Sequence, residues 1–260
     1  MTASSSISSD SPSPSGSGKS GAEMTAGRLF FISSLYGDVN PGLLTALNRY
    51  PDVIVRPDGQ FGFLSSELGG LLNQYNQRLE KRKSSIRNEL SQTRLGNADA
   101  WSLFRELALK LAVGKDAARE NAVFAVHDPD IAARAGLYAR VFPEAKFIFT
   151  TRNPLWKPPE GGADAWKRAA VRLFPLKKSV AGILPVREER LLSEPMELLR
   201  DILSFLERPM PDSMRLMKMI SAAETGAVHM EDLRGRMPAA DPDLVEDLAS
   251  SLKFFGYEEG

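Results

Sequence analysis

Short apolar runs alternate with stretches of helical spacing along most of the chain. Leu29-Phe30-Phe31-Ile32, Val53-Ile54-Val55, Val123–Val126, Phe147–Thr150 and Ile183–Val186 are rich in β-branched and aromatic residues. Bounded by charge, proline or glycine, such runs predict buried strands. Between them lie segments with apolar residues three and four apart. Pro41 to about Tyr50 carries Leu43, Leu44 and Leu47 on one face. Ser65 to about Leu95 reads as a helix broken near Ser84-Ser85. A helix capped by Asn97 or Asp99 runs to Val113, with Trp101, Phe104, Leu107, Leu109 and Leu111 facing the core. Asp130–Val141 is opened by Asp128-Pro129 and stopped before Pro143. Further helices cover Ala163–Leu173, a stretch capped by Ser193, about Asp212–Ala222, and a last one from Asp241-Pro242 to near Phe255.

Strands that alternate with helices argue for a mostly parallel central sheet flanked by helices, hence an α/β fold in a single domain. The stretch Ala122–Pro154 organises it as a β-α-β unit with parallel strands and a right-handed crossover. Chemistry in open α/β sheets gathers at the carboxyl ends of strands. Here those ends are His127-Asp128-Pro129 and Thr151-Arg152-Asn153-Pro154.

Residues 1–27 are mostly Ser, Gly, Pro and Ala, which cannot offset their ordering entropy by burial, so this segment is expected to be a disordered tail preceding a domain over 28–260. Gly16-Ser17-Gly18-Lys19-Ser20 imitates a phosphate-binding loop but lacks the glycine five positions earlier, the preceding strand and the following helix. Lys plus Arg and Asp plus Glu number 33 each. That balance speaks against a nucleic-acid binder. The absence of cysteine removes thiol catalysis and cysteine-ligated zinc, and only two histidines make a metal site unexpected. No apolar run approaches a membrane span, and no secretory signal opens the chain, so a cytoplasmic protein is expected. Arg78, Lys81, Arg82, Lys83 and Arg87 crowd one long helix. They form either a solvated face or a landing area for an anion.

Several blocks in order resemble the sulfotransferase family. Val126-His127-Asp128-Pro129, Arg140-Val141-Phe142-Pro143-Glu144-Ala145-Lys146-Phe147-Ile148 and Thr151-Arg152-Asn153-Pro154 resemble its central block. Pro185–Pro195 resembles its Arg-Tyr-Glu-Asp-Leu-x-x-x-Pro stretch. Leu203–Leu206 resembles its Phe-Leu-Gly helix end, and Phe255-Gly256-Tyr257 its terminal Gly-Tyr. The similarity covers about Arg28 to Tyr257.

The resemblance implies a P-loop-type three-layer sandwich and sulfuryl transfer from 3′-phosphoadenylyl sulfate (PAPS) to a hydroxyl of a glycan or small metabolite. In such a transfer, backbone amides at a helix start and a cation hold the 5′-phosphosulfate. The family's cation and Ser-Gly-Thr triplet are replaced here by Ser33-Ser34-Leu35-Tyr36-Gly37-Asp38-Val39-Asn40-Pro41-Gly42, with an acid, Asp38, where the cation would stand. Ser33, Ser34 and Gly37 are the residues left to line the donor pocket. Arg152 matches the family's 3′-phosphate arginine, Glu160 falls where its serine would stand, and Lys157 offers a nearby cation. Asp58 or His127 is the candidate general base. Each also has a plainer reading, Asp58 as a turn residue and His127 as a hydrogen-bonded strand end. The altered loop leaves an alternative: a non-catalytic binding or assembly module that keeps the fold.

Overall fold

The computed structural model describes residues 28–35, 37–56, 60–83, 95–155, 162–179, 182–227 and 242–257. Five strands form one parallel sheet: β1 (Leu29–Ser34), β2 (Val53–Arg56), β3 (Val123–His127), β4 (Lys146–Thr151) and β5 (Ile183–Arg187). Their order is β2-β3-β1-β4-β5. Every pairing is parallel, with Phe31 beside Val126 on one side and beside Phe147 on the other. The two strands of the Ala122–Pro154 unit are therefore parallel, as the sequence implies, but β1 lies between them.

The helices are α1 (Pro41–Asn48), α2 (Phe61–Lys83), α3 (Asn97–Val113), α4 (Asp130–Ala133), α5 (Ala135–Val141), α6 (Gly162–Ser179), α7 (Arg190–Ser193), α8 (Pro195–Phe205), α9 (Ser213–Ala227) and α10 (Pro242–Phe254). All six residues of β1 are buried. Because side chains alternate across a strand, Leu29 and Phe31 join one core with α3, α5, α6 and α10, while Phe30 and Ile32 join another with α1, α8 and α9. The first core is aromatic. Phe31 stacks on Phe147 at 5.2 Å and meets the Tyr138 ring edge-on at 5.3 Å. The result is a helix–sheet–helix sandwich. Among the described residues no helix is long and apolar enough to cross a membrane.

Several boundaries differ from the sequence reading, each for a local reason. The helix expected over Asp130–Val141 is two helices, because Arg134 leaves helical geometry (φ −116°) and its guanidinium reaches Gly62 O and Ser65 Oγ of α2. Helix α2 starts at Phe61 rather than Ser65. Phe61 is buried, and Asp128 Oδ2 accepts from Gly62 N, a cap supplied from a distant strand end. Gly96, not Asn97 or Asp99, occupies the cap of α3, and Asp99 reaches back from the first turn to accept from Gly96 N at 2.7 Å. Leu111 points outward and is 59% exposed. Helix α6 continues through Pro175 to Ser179, where a proline normally breaks a helix; Leu176 beyond it packs on the core. Ser193 ends α7 instead of capping α8. Its hydroxyl donates to Glu189 O, and Pro195, with no N–H to satisfy, takes the first position of α8. The second half of the expected Ser65–Leu95 helix and the Gly16–Ser20 loop lie outside the described residues.

Candidate functional site

The connection after β1 returns toward β2 and the connection after β4 runs toward β5, on opposite sides. Outside the carboxyl ends of β1 and β4 this reversal leaves the crevice in which open α/β sheets bind ligands. Register places Ser34 beside Thr150 there, and Leu35 N donates to Thr150 O at 2.9 Å. The crevice therefore brings together Ser33 and Ser34 at the end of β1 and Gly37 just beyond it with Arg152 after β4. His127 ends β3, on the far side of β1. Asp58 follows β2 by two residues in sequence but lies outside the described residues, as do Lys157 and Glu160.

The β1–α1 turn is tightly closed on itself. Gly37 adopts φ 98°, a backbone region that favours glycine, and forms an antiparallel bridge back to Ser34. Ser33 is fully buried. Its hydroxyl donates to Pro129 O and accepts from Ala132 N, both at 3.3 Å, so it ties β1 to the segment after β3. At the start of α1 the amides are spoken for. Pro41 has none, Gly42 N donates to Asn40 Oδ1 at 2.8 Å, and Leu43 N donates to Asn40 O at 3.0 Å. One residue earlier, Val39 N donates to His127 Nε2 at 3.4 Å. Asp38 is exposed at the mouth.

On the β4 side two consecutive glutamates govern the geometry. Glu188 has no solvent exposure. Its Oε1 accepts from Thr150 Oγ1 at 2.7 Å and its Oε2 from Arg152 Nε at 2.8 Å. The arginine is thus anchored by a buried carboxylate, with 28% of its side chain exposed toward the crevice rim. Glu189 Oε1 accepts from Asn153 N at 2.6 Å and Oε2 from Tyr257 OH at 2.9 Å. Burial pushes the Glu189 carboxyl pKa up, and the Asn153 amide and Tyr257 hydroxyl pull against that shift. Trp166 Nε1 completes the rim by donating to Thr151 Oγ1 at 2.7 Å.

The sequence reading did not single out Glu188 or Glu189. A signal existed: two adjacent acids directly after a buried strand, beside a strand that ends in arginine. Tyr257 entered only as part of a terminal Gly-Tyr, with no partner attached to it.

A three-layer, all-parallel sandwich with a polar crevice between its first and fourth strands defines a doubly wound α/β protein. The sequence profile of the Sulfotransferase family matches residues 43–212. That is more than half of the chain, which therefore belongs to this family. The match takes in His127, Arg152, Glu188 and Glu189 and begins after the β1–α1 turn. Among solved structures the chain is similar to sulfotransferase STF1 from Mycobacterium tuberculosis H37Rv, with 10% identity over 81% of this chain and 76% of that one and a TM-score of 0.45. It is also similar to sulfotransferase STF9 from Mycobacterium avium, with 12% identity over 89% of this chain and 77% of that one and a TM-score of 0.40. No curated protein sequence matches it.

Proposed function

We propose that the chain transfers a sulfuryl group from PAPS to a hydroxyl of a glycan or small metabolite in the β1–β4 crevice, with weak donor affinity. Family membership across residues 43–212 is the observation that supports the reaction. In the proposed step the acceptor oxygen attacks sulfur in line. The bond from sulfur to the bridging phosphate oxygen breaks, adenosine 3′,5′-bisphosphate leaves, and Asp58 or His127 takes the acceptor proton. Arg152 and Lys157 supply positive charge to the donor phosphates, and Ser33, Ser34 and Gly37 form the turn beneath the phosphosulfate.

Weak affinity follows from the turn itself. A phosphosulfate seated at α1 must displace Asn40 from Gly42 N and His127 from Val39 N. Each exchange forfeits a hydrogen bond worth about 1 kcal/mol net, so the two together reduce affinity roughly thirtyfold. The same occupied amides favour a second reading, a binding or assembly module that takes no donor at all.

Melting of the full chain against adenosine 3′,5′-bisphosphate, with sodium chloride matched for ionic strength, separates the two. The transfer reading expects no shift at sub-millimolar ligand and a saturable rise at millimolar ligand. Asn40→Ala, which releases the Gly42 amide, should then tighten binding about fivefold. No shift at any concentration, with Asn40→Ala equally inert, establishes the binding-module reading instead.

A further inference from the structure

At the amino-terminal edge of the sheet, opposite the crevice, a cavity of about 220 Å³ opens between the starts of β1, β3 and β4 and the end of α8. Arg28, Lys146, Arg208, Glu144 and Glu207 bring charge to its wall, over an apolar floor that includes Phe30. Both carboxylates already have cations. Glu144 pairs with Arg105 at 3.1 Å, and Glu207 pairs with Lys146 at 2.8 Å. Glu207 holds that position from a left-handed backbone conformation, φ 57°, normally reserved for glycine. That conformation closes α8, with Glu207 N donating to Ser204 O at 2.9 Å and Arg208 N to Leu203 O at 2.8 Å.

Arg28 and Arg208 are left over. Among the described residues neither lies within ion-pair distance of a carboxylate. Arg28 Nε donates to Ala122 O at 2.7 Å and its Nη2 to Arg119 O at 2.6 Å, which fixes the guanidinium over the Phe124 ring. Arg208 Nη1 donates to Asn121 O at 3.1 Å, but its Nε is buried with no hydrogen-bond partner. A buried donor of a charged group without an acceptor is costly, and two guanidiniums near one another repel. Burial first and the Arg208 charge second lower the Arg28 pKa, with Glu120 opposing them.

We propose that this cavity is a binding site for a compact oxyanion, phosphate or sulfate, held between Arg28 and Arg208. An oxyanion supplies what neither arginine has among the described residues: a direct ionic partner within ion-pair distance, accepting from both guanidiniums. Guanidinium forks match tetrahedral oxyanions by parallel hydrogen bonds. The volume suits such a group with a few waters, at about 30 Å³ each, and falls below the range for larger organic ligands. The site is separate from the β1–β4 crevice and does not depend on the reaction proposed there.

The test uses the full chain, melted in inorganic phosphate and, in parallel, glycerol 3-phosphate, each against sodium chloride of equal ionic strength. The expected result is a saturable rise of several degrees in Tm. Inorganic phosphate acting alone identifies a free ion, and an equal or larger effect of the ester identifies the head group of a larger ligand. Arg208→Gln and Arg28→Gln should each abolish the rise, measured from the variant's own baseline, whereas Arg152→Lys should keep it. If Arg208→Gln does not fold, Arg28→Gln and Arg208→Lys, which keeps charge without the Nε donor, decide the matter. No rise beyond chloride overturns the proposal. So does a rise that survives both arginine substitutions, or one that disappears with Arg152→Lys and so belongs to the opposite edge.

Discussion

The two ends of the sheet are both rich in charge, yet they spend it differently. At the carboxyl edge, Glu188 is matched to Arg152 and Thr150, Glu189 to Asn153 and Tyr257, and Asp128 to the first turn of α2. At the amino edge, the acids are matched to Lys146 and Arg105, and among the described residues Arg28 and Arg208 have no carboxylate within ion-pair distance. Polar density therefore does not locate a ligand. What locates one is the charge that remains after the protein's own groups have been paired. By that measure the carboxyl edge must open before it binds an anion, and the amino edge stands ready.

The sharpest way to break this comparison is to unpair the carboxyl edge. Arg152→Ala removes the cation from a carboxylate with no solvent exposure. Breaking a buried pair from one side typically costs about 3–5 kcal/mol; with the arginine partly exposed, the lower end, about 3 kcal/mol, is expected. Thermal melting should register a drop of roughly 6–12 °C. A change under about 1 kcal/mol would show that Glu188 protonates or rehydrates freely, and the matched-edge description would fail. The same result cautions that loss of ligand binding in Arg152→Ala mixes fold and site.

A smaller effect, graded with pH, is expected at Glu189. Its carboxyl pKa is raised in the folded protein, chiefly by burial. Folding then favours the protonated form. That contribution is complete below the unfolded pKa, about 4.3, and is lost as pH rises through the folded value. Glu189→Gln cannot ionise and keeps an acceptor for Asn153 N. Its stability relative to the parent should therefore climb as pH rises from about 4 toward neutrality. A difference that stays flat with pH would mean that the hydrogen bonds from Asn153 and Tyr257 cancel the burial.

The smallest effect sharpens the meaning of a leftover group. The Tyr138 hydroxyl is buried with no hydrogen-bond partner among the described residues, while its ring packs edge-on against Phe31 and Phe104. Tyr138→Phe should lie between neutral and about 1 kcal/mol more stable by denaturant titration, since it removes an unsatisfied donor and no contact. A loss above about 1 kcal/mol would reveal a partner for that hydroxyl.

Strand positions were legible from the sequence because each of the five is an apolar run cut off by charge, glycine or proline. Helix starts were read less well. The sequence shows local caps, but α2 is capped by Asp128 across 66 positions and α4 is ended by Arg134 reaching α2. Contacts of that range leave no local spacing. The crevice was legible in outline, since His127 and Arg152 end buried strands. Its closure was not. Asn40 and His127 consume amides through turn geometry that residue types alone do not encode, and Glu188 reads as one more surface acid until β5 is laid beside β4. The amino-edge cavity had no sequence signature, because Arg28, Lys146 and Arg208 meet only through strand order.

That order also sets a timetable. The central strand is the first to be made, and its neighbours come late: Leu29 pairs beside Phe124, and Phe30 beside Lys146. At roughly 5–20 residues per second, the ~95 residues up to β3 take about 5–20 s to emerge during synthesis. Throughout that interval Leu-Phe-Phe-Ile, buried along its whole length in the finished sheet, has neither of its partner strands. Pairings this distant in sequence form slowly even in the complete chain. The strand that anchors both cores is thus also the one that waits longest, in sequence, for the neighbours that bury it.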